Sequence, residues 1–420
     1  MPWLARRLFP VLATAALVVI SMLSSTCYPL LVGKAAWALP HDLWGTLVAA
    51  QRLAHGDWSG LYAKSTGLVG LPGAAVILVP VAVVIDAAGL SLQIPGPGDP
   101  YPIVWLLAGP YAIAISGVAL FAADAIADHL GVARRRRALL AAASAFALWS
   151  VAARWGHPED AVAVGLFLFG ILALSRSQTG RSGWLIGAAV AVQPLVLLAL
   201  PFAAVVIKPR RLAGFLARAA APAVLLLGAA AAANWHATVS AVTSQPNSVT
   251  VNHSTAWTAV APHLAGGTVA AGPARLLAIG AACACALIAG RRWRAELDAD
   301  GWSSRILVEL LWWAAVALAL RCVFEPVMVS YYMWPALAVA LIAASPSWPR
   351  LIATSAATTA FTFASQLSWR SPWTYWAPMI AGLALTLFLA RIPPPTAADR
   401  QRACERRDLS PTKPTGGAAA

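Results

Sequence analysis

Runs of apolar residues too long for a globular core decide what this chain can become. A bilayer's hydrocarbon layer takes roughly 20 helical residues to cross. Runs approaching or exceeding that length follow one another at 8–27, 67–88, 102–128, 138–153, 161–174, 184–207, 212–233, 266–289, 306–321, 329–344, 350–366 and 376–391. In lipid the backbone must satisfy its own hydrogen bonds, so such runs become helices. The expectation is an all-α polytopic membrane protein with roughly 11–13 membrane helices. Residues 1–395 form the membrane domain. The stretch 396–420, rich in Pro, Thr, Arg, Gly and Ala, reads as a disordered cytoplasmic tail that cannot bury a core.

Charge orients the spans. Of the 420 residues 11% are charged, and the formal net charge is +14. That excess would suit a nucleic-acid surface if it formed a groove. Instead the basic residues stand beside the ends of apolar runs, at Arg6 and Arg7, Arg134 to Arg137, Lys208 to Arg211, Arg291 to Arg294, and after Arg391. This is the positive-inside pattern of cytoplasmic loops. Asn234 to His263 contains no Lys or Arg and is expected on the other side. The first run follows a short basic head and lacks a small-residue cleavage site, so it reads as a retained anchor.

Counting every run as a full span breaks the charge rule, because it places Arg134 to Arg137 outside and Trp155 to Asp160 inside. One segment before the basic cluster must therefore fail to cross. The run Trp184 to Ile207 poses the same problem, with Arg181 before it and Lys208, Arg210 and Arg211 after it. A break at "VQPL" would let it turn back as two half-helices. The loops with Asp42, "HPED", Asn252 to His263 and Glu325 then all open on the outer face.

The outer loops hold the polar chemistry. In "LPHDLWGTLVAAQRLAHGDWSGLY" Leu43, Leu47, Ala50 and Ala54 fall at helical spacing, which predicts an amphipathic helix in the membrane interface with Trp44 and Trp58 as anchors. Asp42 at its start has two readings. It is a helix cap accepting from free backbone N–H groups, or a general base at the water boundary. In "GHPED", Pro158 suits a helix start and Glu159 and Asp160 suit its positive end, while His157, Glu159 and Asp160 also suit sugar hydroxyls. Six histidines, His41, His55, His157, His236, His253 and His263, fall in these loops, without paired ligand spacing that would indicate a metal. Cys283 and Cys285 sit in an apolar run as small core residues, with no disulfide framework implied.

Taken in order, several stretches resemble the GT-C glycosyltransferases, integral membrane enzymes that use polyprenyl-phosphate sugars. Asp42, Ala49, Leu53, Gly56, Leu61 and Tyr62, then Pro72 and Pro80, look like that family's first outer loop, here 28–66. "GHPEDA" from Gly156, "GAAVAVQPLVLLALP" from Gly187, "VNHST" from Val251 and "FEPVMVSYYMWP" from Phe324 resemble its later motifs. The similarity is greatest to actinobacterial polyprenol-phosphate-mannose mannosyltransferases and to arabinofuranosyltransferases. Two positions depart from the pattern: Gln193 stands where the family often has Lys, and Tyr331 or Tyr332 near where it has His.

The resemblance implies a GT-C-like bundle and an inverting transfer from a lipid-linked sugar to a lipid or glycan acceptor of the cell envelope. The reaction lies on the outer face of the plasma membrane. Asp42 is the implied base, no metal or other cofactor is needed, and the polyprenyl-phosphate sugar is a co-substrate. The expected sugar is mannose, with arabinofuranose as the alternative. The implied substrate-binding set is His41, Arg52, Tyr62, Lys64, Arg154, His157, Glu159, Asp160, Gln193, Asn252, His253, Glu325 and Tyr331. Arg52, Lys64, Arg154, Arg321 and Arg370 are candidates to neutralise the donor phosphate. The rival class is a lipid or solute transporter, which commonly shows paired broken helices and inverted repeats. No internal repeat is visible here.

Overall fold

A computed structural model describes residues 6–31, 39–63, 66–68, 70–92, 103–244, 247–249, 253–270, 274–367 and 372–391, with backbone alone at Tyr28, Leu30, His41, Ser248 and Ala265. Lys64, Asn252, Arg370, the His41 side chain and the tail lie outside what is described. Among the described residues, seven helices are long and apolar enough to cross a bilayer. They are Leu8–Cys27, Trp105–His129, Arg134–Trp155, Pro158–Ser175, Pro209–Ala233, Ala274–Asp300 and Ser304–Phe324. Ser330–Ala344 and Trp376–Ala390 are shorter apolar helices, and Trp348–Ala364 is a further helix of 17 residues. One pair of two-residue strands, Asn247–Ser248 with Thr268–Val269, completes an otherwise helical fold. The chain is an all-α polytopic membrane protein. Its outward side chains include Val224, Leu225, Leu276 and Phe388, which only a lipid surround leaves without cost.

The basic stretches gather at one end of the bundle. There Arg7 and Arg137 both clasp Asp124, at 2.8 and 2.7 Å, and both reach Asp128, at 3.0 and 2.7 Å. Arg136 donates to the Pro346 carbonyl, and Arg294 donates to the Val205 carbonyl at 3.1 Å. Ser175 Oγ lies 3.4 Å from His129 Nε2, which ties two more helix ends to the same side. Because Arg7 and Asp124 are almost fully buried, each neutralises a charge that would otherwise cost several kcal/mol to hold there.

At the opposite end, Trp105 donates to Ser25, Asn234 to the Ser59 carbonyl, and Arg275 to Glu325. The long helices therefore alternate in direction between a basic end and an end that carries Asp42.

Two apolar segments do not take part in that alternation. Segment 66–92 leaves the helix His41–Ala54 and comes back to it. Its start packs the Thr66 and Gly67 carbonyls against Gly45. Its return leg places Asp86 on Gln51 and His55, and the Leu92 carbonyl accepts from Trp44. Between them stand only two short helices, Pro72–Val76 and Val79–Ala87.

Segment 178–208 rises as Thr179–Val192, breaks at Gln193–Pro194 and descends through Pro194–Leu198 and Leu200–Val205. Both of its ends lie at the basic end, where Arg181 and Arg210 line one cavity. The cause of the break is Pro194, whose missing N–H and fixed φ leave Gln193 extended at φ −150°. The two re-entrant segments touch. A Cβ on Gly73 would lie 2.2 Å from the Ala191 carbonyl oxygen, so only glycine permits this approach.

The amphipathic helix forms over His41–Ala54, and its apolar face packs on protein. Leu43, Leu47, Ala49 and Ala50 are fully buried and join the main core. The capping reading of Asp42 is corrected. Pro40 is the cap residue, and Asp42 sits inside the first turn.

Candidate functional site

The geometry around Asp42 begins with a glycine. The helix Arg134–Trp149 ends in a π-helical turn, Ser150–Trp155, and Gly156 follows at φ 71°. Its backbone is in the left-handed region, and a Cβ there would lie 2.6 Å from Pro40 and 2.8 Å from Leu43. Glycine is thus required for conformation and for close approach. The turn brings His157 onto the helix that carries Asp42.

His157 bridges two carboxylates. Its Nε2 lies 2.9 Å from Asp42 Oδ2 and its Nδ1 lies 2.6 Å from Glu159 Oε1. The imidazole stacks on Tyr331 at 4.1 Å between ring centres. Tyr331 also meets Trp155 and Tyr332. Burial opposes a charge on His157, but Glu159, the Asp42 hydrogen bond and Asp160 outweigh it and push the imidazole up to about 10. At neutral pH it is an imidazolium donating from both nitrogens. Asp42 is the exposed member: half its side-chain surface remains accessible, against 12% for His157.

Behind this relay lies a buried set of charges. Asp160 is fully buried, and its Oδ1 accepts from Gln193 Nε2 at 2.7 Å. This bond depends on the re-entrant break, which delivers Gln193 to the first turn of Pro158–Ser175. Arg321 lies over the Tyr332 ring, its guanidinium carbon 3.7 Å from the ring centre. Glu325 accepts from Arg275 at 2.8 Å and stands 3.9 Å from Arg321. Asp42, Asp160 and Arg321 all act electrostatically on Tyr331, which sits between them.

Asp160 Oδ2, Arg321 Nη1 and Trp155 Nε1 are buried without a hydrogen-bond partner among the described residues. Native interiors rarely leave such atoms unmatched unless water or a ligand meets them.

The other expected residues fall into three groups. His253 is tied to the turn after Glu325: its carbonyl accepts from Met328, and its ring meets Tyr375 edge-on. Burial lowers the His253 pKa. Thr255 donates to the Glu325 carbonyl and Trp257 to that of Val323, so the loop after Asn252 is latched onto the Glu325 turn. Tyr62 donates to the Gly70 carbonyl and braces the start of the first re-entrant segment.

Arg52 is instead paired with Asp57 at 2.8 Å. The Gly60 N–H, Ser59 and Arg52 together hold the Asp57 carboxyl below its usual range. Arg154 is exposed on the π-helical turn, outside the cluster of contacts around His157. Arg275 and Trp155 were not expected. The available signal was the pair Arg321 and Glu325, four residues apart at the end of an apolar run, since ionisable groups at membrane depth mark functional sites.

Among the described residues no group of His, Cys, Asp and Glu is arranged to hold a metal ion. His157 spends both ring nitrogens on carboxylates. Set against known proteins, the chain matches no family model and no curated protein.

Proposed function

We propose that this protein is an inverting glycosyltransferase that moves a sugar, mannose by preference over arabinofuranose, from a polyprenyl-phosphate donor to a lipid or glycan acceptor. The observation that carries this reading is a half-exposed carboxylate, held from behind by an imidazolium and backed by a guanidinium that stacks on Tyr332. The positive-inside rule assigns the basic end to the cytoplasm and the Asp42 end to the outer face of the plasma membrane.

In this reading Asp42 takes the proton of the acceptor hydroxyl while that oxygen attacks the anomeric carbon. The bond from the anomeric carbon to the phosphate oxygen breaks, and polyprenyl phosphate departs with the electron pair. One carboxylate suffices for inversion, because no glycosyl-enzyme intermediate is needed. His157 fixes Oδ2 of Asp42 and so sets the direction in which the carboxylate faces. Arg321, fixed by Tyr332 and Glu325, is the group we assign to the developing phosphate charge, in place of the lysine that Gln193 replaces. No cofactor enters the scheme.

A second reading, a lipid or solute transporter, draws on the two re-entrant segments that meet at Gly73 and Ala191, since paired broken helices are common in that class. One experiment separates them. Membranes carrying wild type or Asp42→Asn receive synthetic polyprenyl-phosphate mannose or arabinofuranose with labelled sugar. The enzyme reading expects a labelled glycolipid or glycan, reduced at least ~100-fold in the variant, the scale of general-base catalysis. Undiminished transfer by Asp42→Asn would reject the assigned base. Absence of transfer from both donors, with protein-dependent movement of the lipid-linked sugar across vesicles, would establish the transporter.

A further inference from the structure

The end of the molecule opposite Asp42 holds a cavity of ≈ 490 Å³ between the turn at Ser177 and Gln178 and the start of the helix Pro209–Ala233. Arg181, Arg210, Arg211 and Arg218 line it, and no carboxylate does. None of the four makes an ion pair among the described residues. Two helices begin here, Thr179–Val192 and Pro209–Ala233, and neither has an acidic residue in its first turn or a side-chain cap. Their N-terminal N–H groups add positive potential to that of the arginines.

Arg218 is held in place. It donates to the Gly214 carbonyl at 2.8 Å, and its guanidinium passes over two glycines. A Cβ at Gly214 would lie 3.1 Å from its Nη1 and one at Gly180 would lie 3.8 Å from its Nε. Loop charge needed only to orient the spans carries no such requirement, since any basic residue near the surface serves. Four like charges converging on one hollow repel one another unless an anion joins them. Guanidinium forks match the oxygens of a phosphate.

The same helix turns Leu216, Val224 and Leu225 outward, with 40, 64 and 67% of their surfaces exposed. Of these, Leu225 stands two turns beyond Arg218 on the same face, so the side of the helix that borders the hollow continues to an exposed apolar side chain. We propose that it is a binding site for the phosphate of an anionic phospholipid, with an acyl chain along Leu225.

The test uses the full-length purified protein in neutral detergent, titrated with dihexanoyl phosphatidylglycerol and followed by native mass spectrometry. One equivalent is expected to bind. Arg211→Gln with Arg218→Gln should weaken binding roughly 30-fold, since each basic residue near an anionic headgroup contributes about fivefold. The corresponding pair of lysine substitutions should recover most of that loss. Arg291→Gln with Arg292→Gln, at the same end but outside the cavity, should leave affinity unchanged.

Equal binding by the Arg211 and Arg218 variant, or equal loss in the Arg291 and Arg292 control, would overturn the site. Displacement of the lipid by inorganic phosphate at matching concentration would overturn the lipid assignment and leave free phosphate as the occupant.

Discussion

Replacing Glu159 by Gln tests the electrostatics of the relay directly. Glu159 is the foremost of the groups that hold His157 at about 10 against burial, from an ordinary 6.5. A folded-state value above the unfolded one means that protonation favours folding. This contribution is complete below pH 6.5, declines as pH rises, and is lost once pH passes about 10. Taken at face value the difference is worth roughly 3–5 kcal/mol, with the lower figure preferred because half-exposed Asp42 is screened by solvent.

Burial lowers His253, and burial raises Tyr62 and Tyr375 above the ordinary phenol range. Thermal inactivation half-life in detergent, measured from pH 6 to pH 10.5, should fall for wild type across the upper part of that range. Glu159→Gln should be less stable at pH 6.5, and its remaining decline should end at a lower pH than that of wild type. An imidazole nitrogen signal assigned to His157 should titrate near 10 in wild type and at least about two pH values lower in the variant. A wild-type imidazole that titrates near 6.5, or a variant whose pH profile overlays that of wild type, would refute the reasoning.

Other outcomes follow from single contacts. Asp124→Ala leaves Arg7 and Arg137 without their shared carboxylate and should cost about 3–5 kcal/mol, read as a shortened thermal half-life; an unchanged half-life would mean the knot holds nothing. Gly73→Ala forces a Cβ into the Ala191 carbonyl and should destabilise by about 1–3 kcal/mol, whereas Gly228→Ala, with nothing within 4 Å of its Cβ, should be neutral or slightly stabilising by the same measurement. Cysteines placed at Ser59 and Ala88 in a cysteine-free background should react with a membrane-impermeant maleimide from one side, and a cysteine at Ser177 only from the other. Labelling of Ala88 together with Ser177 would show that segment 66–92 crosses.

The membrane class was legible in the residues because it is a local property, and so was the segregation of basic stretches to one end of the bundle. An apolar run is long enough or it is not, and a cluster such as Arg134 to Arg137 stays on its side of a bilayer whatever surrounds it. The same holds for the helix over His41–Ala54, whose period is written in Leu43, Leu47 and Ala50. Pro194 marked a break, and the charges flanking it required a return.

What lay beyond the sequence is everything that depends on contact between distant residues. Spacing alone could not tell whether Asp42 caps its own helix or meets His157, 115 residues away. That was decided by a π-helical turn and a glycine packed against Pro40. Nor could it show that Gln193 reaches Asp160, that Arg321 lies over Tyr332, or that segment 66–92 folds back on the helix it left. Hydrophobicity and charge sort residues between lipid and water; only packing chooses which polar groups share the dry interior, because each must find its partner there.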